Sequence, residues 1–310
     1  MYYLGIDGGG TKTEAVLCDN TGHILNRRTT VGSNPNDFVI ELSGKVICRL
    51  VSDVLGDIPP ENVSAVFGIA GCYDSNNNAD LFAYITDRYK FYSFKLCPDV
   101  WNVFFSELTD ADICMLICGT GSVAFARVNG KYYRAGGWGH LIDDAGSGYD
   151  IGRKALCAVL RETDGRGEHT LLTELVRSKL HKPPEKCIHE LYKGGKKEIA
   201  SFAPLVFSGL NKRDKVCEKI LLDAAHELSL LITAACKNIE SDTKRVILCG
   251  GILKGNKAFA EMLRSQLDET YQLELSSAPP VFGSYAESLR QTGVIPNDKI
   301  KETFLENYNK

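Results

Sequence analysis

The beginning of the chain combines apolar runs with a short glycine-rich break. An apolar run at residues 2–6 stops at Asp7, gives way to three successive glycines and resumes at residues 15–18. Such a pattern predicts a strand, a tight turn and a second strand. Residues 19–22 have the composition of a turn, so a third strand is predicted at residues 23–30.

The middle of the chain repeats this pattern. An apolar run at residues 114–118 breaks at residues 119–122 and resumes at residues 123–127. The pair Asn129-Gly130 then predicts a hairpin that leads into a third strand. Two such copies, about 110 residues apart, indicate a duplication that produced two similar domains.

Outside the two copies, the apolar spacing predicts further helices and strands. Residues 37–55 place apolar side chains four apart and predict an amphipathic helix, and residues 62–69 predict a parallel strand. Residues 216–239 predict a long helix, and residues 245–249 predict a buried strand. The charge-rich stretch at about residues 163–208 is expected to be a helical insertion with loops. This mixture of strands and helices indicates an α/β fold.

Both glycine-rich breaks have the composition of phosphate-binding loops. Glycine lets the backbone approach a polyphosphate closely, and hydroxyl and ammonium side chains add donors. The candidate phosphate-binding residues are Gly8, Gly9, Gly10, Thr11, Lys12, Thr13, Gly119, Thr120, Gly121 and Ser122. Asp7 is better suited to the Mg²⁺ that accompanies ATP, because a carboxylate does not favour phosphate. A turn that needs glycine only for its conformation is the alternative for the first loop, and a strand-to-helix turn is the alternative for Gly250-Gly251.

An aspartate between the two loops is the candidate catalytic base. Phosphoryl transfer requires a group that takes the proton from the attacking hydroxyl. Asp99 follows an extended segment and opens a predicted helix ahead of the second copy. Aspartate is also a preferred helix N-cap, so the local sequence leaves both roles open.

Composition narrows the functional class of the protein. The 310 residues carry a net charge of −3 without a long basic block, which argues against a nucleic-acid-binding protein. Eleven cysteines are scattered without a Cys-x-x-Cys pair, so neither a disulfide framework nor a zinc site is expected. No apolar run reaches membrane length, and the first strand already carries a phosphate motif. We therefore expect a cytoplasmic protein without a signal peptide or a membrane partner.

The motifs and their order resemble those of the BadF/BadG/BcrA/BcrD ATPase family, and within it the N-acetylglucosamine kinase-like sugar kinases. The resemblance covers residues 2–283, and its motifs are residues 7–13, residues 119–122, residues 136–140, Asp144, residues 146–148 and residues 249–251. It implies two actin-like (ribonuclease H-like) domains with a nucleotide cleft between them. The first domain would span residues 1–117, with a C-terminal helix at about residues 295–310 packed back on it. The second would span residues 118–294.

The resemblance also implies a role for each motif. Asp99 would be the catalytic base and Asp7 would position Mg²⁺ through its water shell. Gly250 and Gly251 would let the adenosine of ATP lie close to the backbone. The implied amino-sugar contacts are Asn34, Asp99, Gly137, Trp138, Gly139 and Asp144.

Three positions of the implied sugar site have a second interpretation or depart from the family. Asn34 could instead stabilise a turn, and Trp138 could be a core side chain. Much of the family reads Gly-Asp-Glu-Gly-Ser where residues 143–147 of this chain read Asp-Asp-Ala-Gly-Ser. Ala145 thus replaces the usual glutamate, and the more open pocket that results could accept the lactyl ether of N-acetylmuramic acid.

The implied activity is ATP- and Mg²⁺-dependent phosphorylation of the 6-hydroxyl of an amino sugar. N-acetylglucosamine is the first expected substrate and N-acetylmuramic acid the second, in a homodimer that serves cell-wall recycling. The alternatives are a glucosamine kinase, a non-catalytic sugar sensor, and an ATPase activator of an acyl-CoA dehydratase or reductase. Activators of that class hold an iron–sulfur cluster, whereas Cys114, Cys118 and Cys249 lie in strand-like runs that suit packing better.

Overall fold

The computed structural model describes residues 1–73 and 75–310. The chain folds into two compact units. The first contains Met1–Thr109 and Ser277–Lys310, and the second contains Asp110–Ser276. Within the described part of the chain, no helix has the length and apolar character needed to cross a membrane.

Strands and helices are numbered along the chain. Residues 1–109 form β1 (Tyr2–Gly8), β2 (Lys12–Cys18), β3 (Ile24–Val31), α1 (Ile40–Leu55), β4 (Val63–Ile69), α2 (Ser75–Thr86), β5 (Ser93–Cys97) and α3 (Val100–Ser106). Residues 110–276 form β6 (Ile113–Cys118), β7 (Ser122–Val128), β8 (Lys131–Gly136), α4 (Gly148–Thr163), α5 (Leu172–Leu180), α6 (Ile188–Ala200), α7 (Ala203–Asn211), α8 (Lys215–Ala235), β9 (Lys244–Cys249), α9 (Gly251–Lys254), α10 (Lys257–Ser265) and β10 (Tyr271–Leu275). The C-terminal segment forms α11 (Pro280–Arg290) and α12 (Asp298–Tyr308).

Each unit contains a five-stranded mixed sheet, and the two sheets have the same strand pattern. The strand order is β3-β2-β1-β4-β5 in the first and β8-β7-β6-β9-β10 in the second. The first three strands of each unit are antiparallel neighbours, and the last two run parallel to the central strand. This correspondence confirms the α/β fold and the duplication that the repeated motifs predict.

The sheet of the first unit is covered by helices on both faces. Leu4 and Ile6 belong to the core that includes α1, whereas Tyr3 belongs to the core that includes α11 and α12. Alternate residues of a strand face opposite sides, so β1 contributes to both cores. Gly5 lets α11 approach closely, because a Cβ at this position would lie 2.6 Å from the Tyr285 backbone nitrogen. Helix α11 therefore packs directly against the strand that leads into the first glycine loop.

The unit boundaries differ from the expected domain limits. The expected boundary after residue 117 would cut through β6, which pairs with β7 and β9 of the second unit. The boundary lies instead after Thr109, because a strand belongs with the sheet whose hydrogen bonds it shares. The return to the first unit begins at Ser277 rather than at about residue 295, since α11 also packs on the first sheet.

Candidate active site

The first glycine loop is the turn between β1 and β2, and backbone hydrogen bonds fix its conformation. The Gly9 N–H donates to the Lys12 carbonyl at 2.9 Å, and the Ser33 N–H donates to the Gly9 carbonyl at 3.0 Å. Gly32 is required here, because a Cβ on it would lie 2.3 Å from the Gly10 carbonyl oxygen. The segment after β3 thus fixes the shape of the loop.

Thr13 supports this loop rather than presenting its hydroxyl to a ligand. Its side chain is fully buried, and its hydroxyl donates to Ser33 Oγ at 2.8 Å. Thr11 and Lys12 are exposed, so they are the loop residues that can reach a phosphate. The expectation that Thr13 contacts phosphate therefore needs correction, because its donor already has a buried partner.

Asp7, at the end of β1, is held by a buried amide that sequence reasoning missed. Asn102 Nδ2 donates to Asp7 Oδ1 at 2.8 Å, and the Ser284 hydroxyl donates to Asn102 Oδ1 at 2.7 Å. Gly68 leaves the space for this amide, because a Cβ there would lie 2.1 Å from Asn102 Oδ1. The available signal was spacing: residues three apart on a helix share a face, and Asn102 follows Asp99 by three.

Two carboxylates of the first unit are held in an environment that disfavours their charge. Removal from water, with the charge of Asp99, raises the pKa of Asp7 to about 7, although the bond from Asn102 opposes this shift. Removal from water also raises the pKa of Asp99 to about 6. A carboxyl group with such a pKa can exchange a proton near neutral pH, as a general base must.

The position of Asp99 argues against the capping role. Asp99 directly precedes α3, every residue of which the structure describes, yet its side chain makes no capping hydrogen bond to that helix. Its own backbone is already helical, with φ −56° and ψ −33°, whereas an N-cap residue normally has an extended conformation. Asp99 therefore does not cap α3 with its side chain, and the N–H groups that reach its carboxylate are those of Val100 and of Asp99 itself.

Asn34 lies beside the first loop, but its side chain stabilises a turn. Asn34 Oδ1 accepts the Asn36 N–H at 3.0 Å, and Asn34 Nδ2 donates to Asp37 Oδ2 at 3.1 Å. Asp37 itself reaches the loop, because a Cβ on Gly10 would lie 2.9 Å from its Oδ2. Asn34 is half-buried, and Asp37 is a second polar group of this region that the sequence did not reveal.

The second glycine loop joins β6 to β7 and rests on the start of α4. The Gly148 N–H donates to the Gly119 carbonyl at 2.8 Å, and the Tyr149 N–H donates to the Thr120 carbonyl at 3.1 Å. The positive end of the α4 dipole thus lies beneath the loop, which favours a bound phosphate. The Ser122 hydroxyl donates to the Ala145 carbonyl at 2.7 Å, so Ser122, like Thr13, supports its loop from within.

A cavity of about 600 Å³ opens beside the second loop, within the second unit. Its lining residues are Gly119, Thr120, Gly148, Ala200, Pro204, Phe207, Ser208, Asn211, Gly251, Ile252 and Asn256. The volume and the mixture of apolar and polar lining suit a nucleoside. Gly250 allows β9 and β6 to end close together, because its φ is +96° and a Cβ would lie 2.1 Å from the Cys118 carbonyl oxygen. The wall that α7 provides was not predicted from the sequence.

The implied sugar loop, residues 136–139, presents an exposed tryptophan. Trp138 is 65% exposed, and the Arg134 guanidinium lies 4.3 Å from the centre of its ring. The alternative that Trp138 is a core side chain is therefore wrong. Gly137 and Gly139 both have positive φ, of 74° and 95°, which explains why the turn requires glycine.

Asp144 is buried against the second glycine loop and paired with a lysine. It is 3% exposed and has a φ of +58°, and its Oδ2 lies 2.9 Å from where a Cβ on Gly121 would be. Lys196 Nζ lies 2.8 Å from the same oxygen. Lys196 follows a kink in α6 at Gly195, whose φ is +62°. This ion pair joins residues 52 apart in the sequence, and no local pattern predicts it.

The cysteines behave as packing residues. Ten of the eleven thiols are buried, and Cys157 is half-buried. Cys114, Cys118 and Cys249 lie in β6 and β9, and burial raises the pKa of the Cys118 thiol to about 12. A buried thiol that stays protonated at neutral pH packs as a small apolar side chain, as the sequence predicts for these strands.

Comparison with known proteins agrees with the fold and the motifs. The BadF/BadG/BcrA/BcrD ATPase family profile matches residues 4–283. The chain is 32% identical over 282 residues to the N-acetylmuramic acid/N-acetylglucosamine kinase of Clostridium acetobutylicum, covering 87% of this chain and 91% of the relative. It is 29% identical over 291 residues to the N-acetyl-D-glucosamine kinase of Dictyostelium discoideum, again covering 87% and 91%.

Solved structures show the same architecture. A candidate N-acetylglucosamine kinase from Chromobacterium violaceum superimposes with a TM-score of 0.76 at 22% identity, over 92% of this chain and 97% of the other. A ROK family glucokinase from Streptomyces griseus, solved with glucose and AMPPNP, gives a TM-score of 0.59 at 16% identity, over 94% and 100%. The profile match spans nearly the whole chain and agrees with the motifs quoted from the sequence. The chain therefore belongs to the BadF/BadG/BcrA/BcrD ATPase family.

Proposed function

We propose that the protein is an ATP- and Mg²⁺-dependent kinase that phosphorylates the 6-hydroxyl of an amino sugar. N-acetylglucosamine is the proposed first substrate, and N-acetylmuramic acid the second. The similarity to kinases of these two sugars over 87% of the chain supports the substrate class. The small side chain of Ala145 supports tolerance of the lactyl group, since it leaves room where much of the family has glutamate.

The observation that carries the proposal is the state of Asp99. Asp99 is half-buried and does not cap α3, and partial removal of its carboxylate from water raises its pKa to about 6. It would accept the proton of the sugar 6-hydroxyl as that oxygen bonds to the γ-phosphorus. The bond from the γ-phosphorus to the bridging oxygen breaks in the same step, and ADP leaves.

The proposed contacts to the nucleotide are backbone and side-chain groups of the glycine loops. Thr11 and Lys12 of the first loop, together with Thr120 of the second, are the side chains proposed to contact the phosphates. The 600 Å³ cavity beside Gly251 is proposed to take the adenosine. Thr13 and Ser122 would act indirectly, by keeping the two loops in shape.

Asp7 is suited to be a protein ligand in a Mg²⁺ site, directly or through water. The described residues contain no group of three or more His, Cys, Asp or Glu side chains gathered around one point. Magnesium is usually bound by one or two carboxylates with water and substrate phosphates, and Asp7 supplies one such carboxylate. A bound Mg²⁺ would neutralise phosphate charge as the bond to the leaving group breaks. Asn102 keeps Asp7 Oδ1 in a fixed position for this role.

The proposed biological setting follows from the substrate. An enzyme that phosphorylates N-acetylglucosamine and N-acetylmuramic acid would act on sugars released from cell wall, in the cytoplasm where ATP is available. We also propose a homodimer, as the family resemblance implies. Sedimentation of the purified chain tests that assignment directly.

The function is tested by ADP release from Mg-ATP with and without each amino sugar. We expect release that depends on N-acetylglucosamine, with phosphate found on O6 by NMR, and none with 6-deoxy-N-acetylglucosamine. Release that is indifferent to sugar would indicate an ATPase activator instead. Turnover of glucosamine alone would identify a glucosamine kinase, and sugar binding without turnover would identify a sensor.

A further inference from the structure

We propose that Lys196 is a phosphate-binding residue of the nucleotide site, an assignment that rests on the proposed kinase function. The Lys196 ammonium lies 2.8 Å from Asp144 Oδ2, and its side chain is 33% exposed. An ammonium has three N–H donors, and the Asp144 carboxylate is the one partner that the described residues give it. Two donors are thus left to point toward a ligand.

The position of Lys196 on α6 relates it to both the 600 Å³ cavity and the second glycine loop. Ala200 lines that cavity, and Lys196 precedes it by one turn of the helical segment that follows the kink at Gly195. Residues four apart lie on the same face of a helix. Asp144, the partner of Lys196, approaches Gly121 of the second glycine loop. The ammonium is therefore close to the loop proposed to hold phosphate.

The charges of this region explain why the pair is needed. A triphosphate would be repelled by a buried, unpaired Asp144 carboxylate, and Lys196 cancels that charge. The same ammonium can also donate to a phosphate oxygen, since its remaining donors are directed away from Asp144. The kink at Gly195, with φ +62°, is the backbone feature that turns α6 so that Lys196 can reach this position.

The test is calorimetric binding of ATP and of adenosine to the full chain in the presence of Mg²⁺. Lys196→Met should weaken ATP binding about tenfold or more, because one charge-assisted contact is lost and the Asp144 carboxylate is left unpaired. Adenosine binding should change by less than about twofold, because adenosine has no phosphate to contact Lys196. Lys193→Met is the matched control, since it removes the same charge from an exposed position before the kink.

A second variant separates phosphate binding from a structural role. Asp144→Asn combined with Lys196→Met removes both charges and leaves no buried ion without a partner. It should fold and still discriminate poorly between ATP and adenosine, whereas Lys196→Arg should retain most of the preference for ATP. Equal losses of ATP and adenosine affinity, an unchanged ATP affinity in Lys196→Met, or recovery of the preference for ATP in the double variant would overturn the assignment. If the wild-type chain itself binds no ATP, both the proposed function and this assignment fail. If the wild type binds ATP normally and Lys196→Met is unaffected, only the assignment of Lys196 fails.

Discussion

Replacing Asp99 by Asn should make the first unit more stable while it abolishes catalysis. Asp99 is half-buried, and partial removal of its carboxylate from water raises its pKa from 3.8 to about 6. Asparagine has nearly the same shape and cannot ionise, and its oxygen can still accept the Val100 N–H. The substitution therefore removes an unfavourable charge without creating a cavity, and water can solvate the amide N–H groups that it adds because the residue is only half-buried.

The size of the gain follows from the pKa shift. Two pKa units correspond to about 3 kcal/mol, which is the cost of ionising Asp99 in the folded protein at pH 8. The unfolded chain loses this proton near pH 3.8 and the folded protein near pH 6, so wild-type stability falls as pH rises between these values. At pH 5 the cost is about half of its value at pH 8, or about 1.6 kcal/mol. The gain from Asp99→Asn should shrink in the same proportion.

The assay uses the tryptophan next to the site. The chain has two tryptophans, Trp101 in α3 and Trp138 in the second unit, so Trp138→Phe leaves a fluorophore that reports on the first unit alone. Urea unfolding in this background, without Mg²⁺, should give the free-energy difference at pH 8 and at pH 5. Turnover with N-acetylglucosamine should fall by about 100-fold or more, as expected when a general base is removed.

Two results would refute this reasoning. A stability gain of the same size at both pH values would mean that Asp99 does not titrate between them in the folded state. Near-normal turnover would remove Asp99 from the mechanism. Asp57→Asn provides the control, because Asp57 is an exposed acid of the same unit and its loss should produce neither effect.

Three further predictions test the rest of the site. Asn102→Ala should destabilise the first unit by about 1–3 kcal/mol, because it removes the donor to Asp7. It should also raise the Mg²⁺ concentration needed for half-maximal rate, and an unchanged Mg²⁺ titration would contradict the role assigned to Asn102. The wild-type value of kcat/KM for the sugar should fall below about pH 6 as Asp99 takes up a proton, and a flat pH–rate profile from 5 to 8 would argue against that base. Trp138→Ala should change the free energy of unfolding by no more than about 0.5 kcal/mol, since the side chain is 65% exposed. It should raise KM for the sugar, whereas a large loss of stability would indicate a packing role.

Much of the fold could be predicted because the apolar pattern changes its period at each element. The predicted strand at residues 62–69 corresponds to β4 (Val63–Ile69), and the predicted helix at residues 216–239 to α8 (Lys215–Ala235). The domain boundary was harder to place, because nothing in the sequence of β6 indicates which of the two sheets it joins. Only its hydrogen bonds to β7 and β9 decide this.

The site could be predicted in part, and the limit has a physical cause. Glycine loops and acids such as Asp99 can be recognised in the sequence, because few residue types can bind phosphate closely or accept a proton. The wall that Pro204 and Phe207 give to the proposed nucleotide cavity has no such signature, since these residues are equally common in any helical core. The Lys196–Asp144 pair depends on a kink and on a contact between distant segments, so only the folded chain reveals it.

The environments of the buried and half-buried acids support a catalytic site at Asp7 and Asp99. Glu14 is buried but receives the Arg27 guanidinium at 2.7 Å and the Tyr308 hydroxyl at 2.9 Å. In the second unit, the Gly146 N–H and the Lys154 ammonium outweigh partial burial and hold the pKa of Asp150 below its usual range. Such pairing is what stability alone requires of a buried acid. Asp7 and Asp99 keep raised pKa values even though Asn102 donates to Asp7 and backbone N–H groups donate to Asp99. This remaining cost is intelligible if ionisation is used when substrate and metal bind.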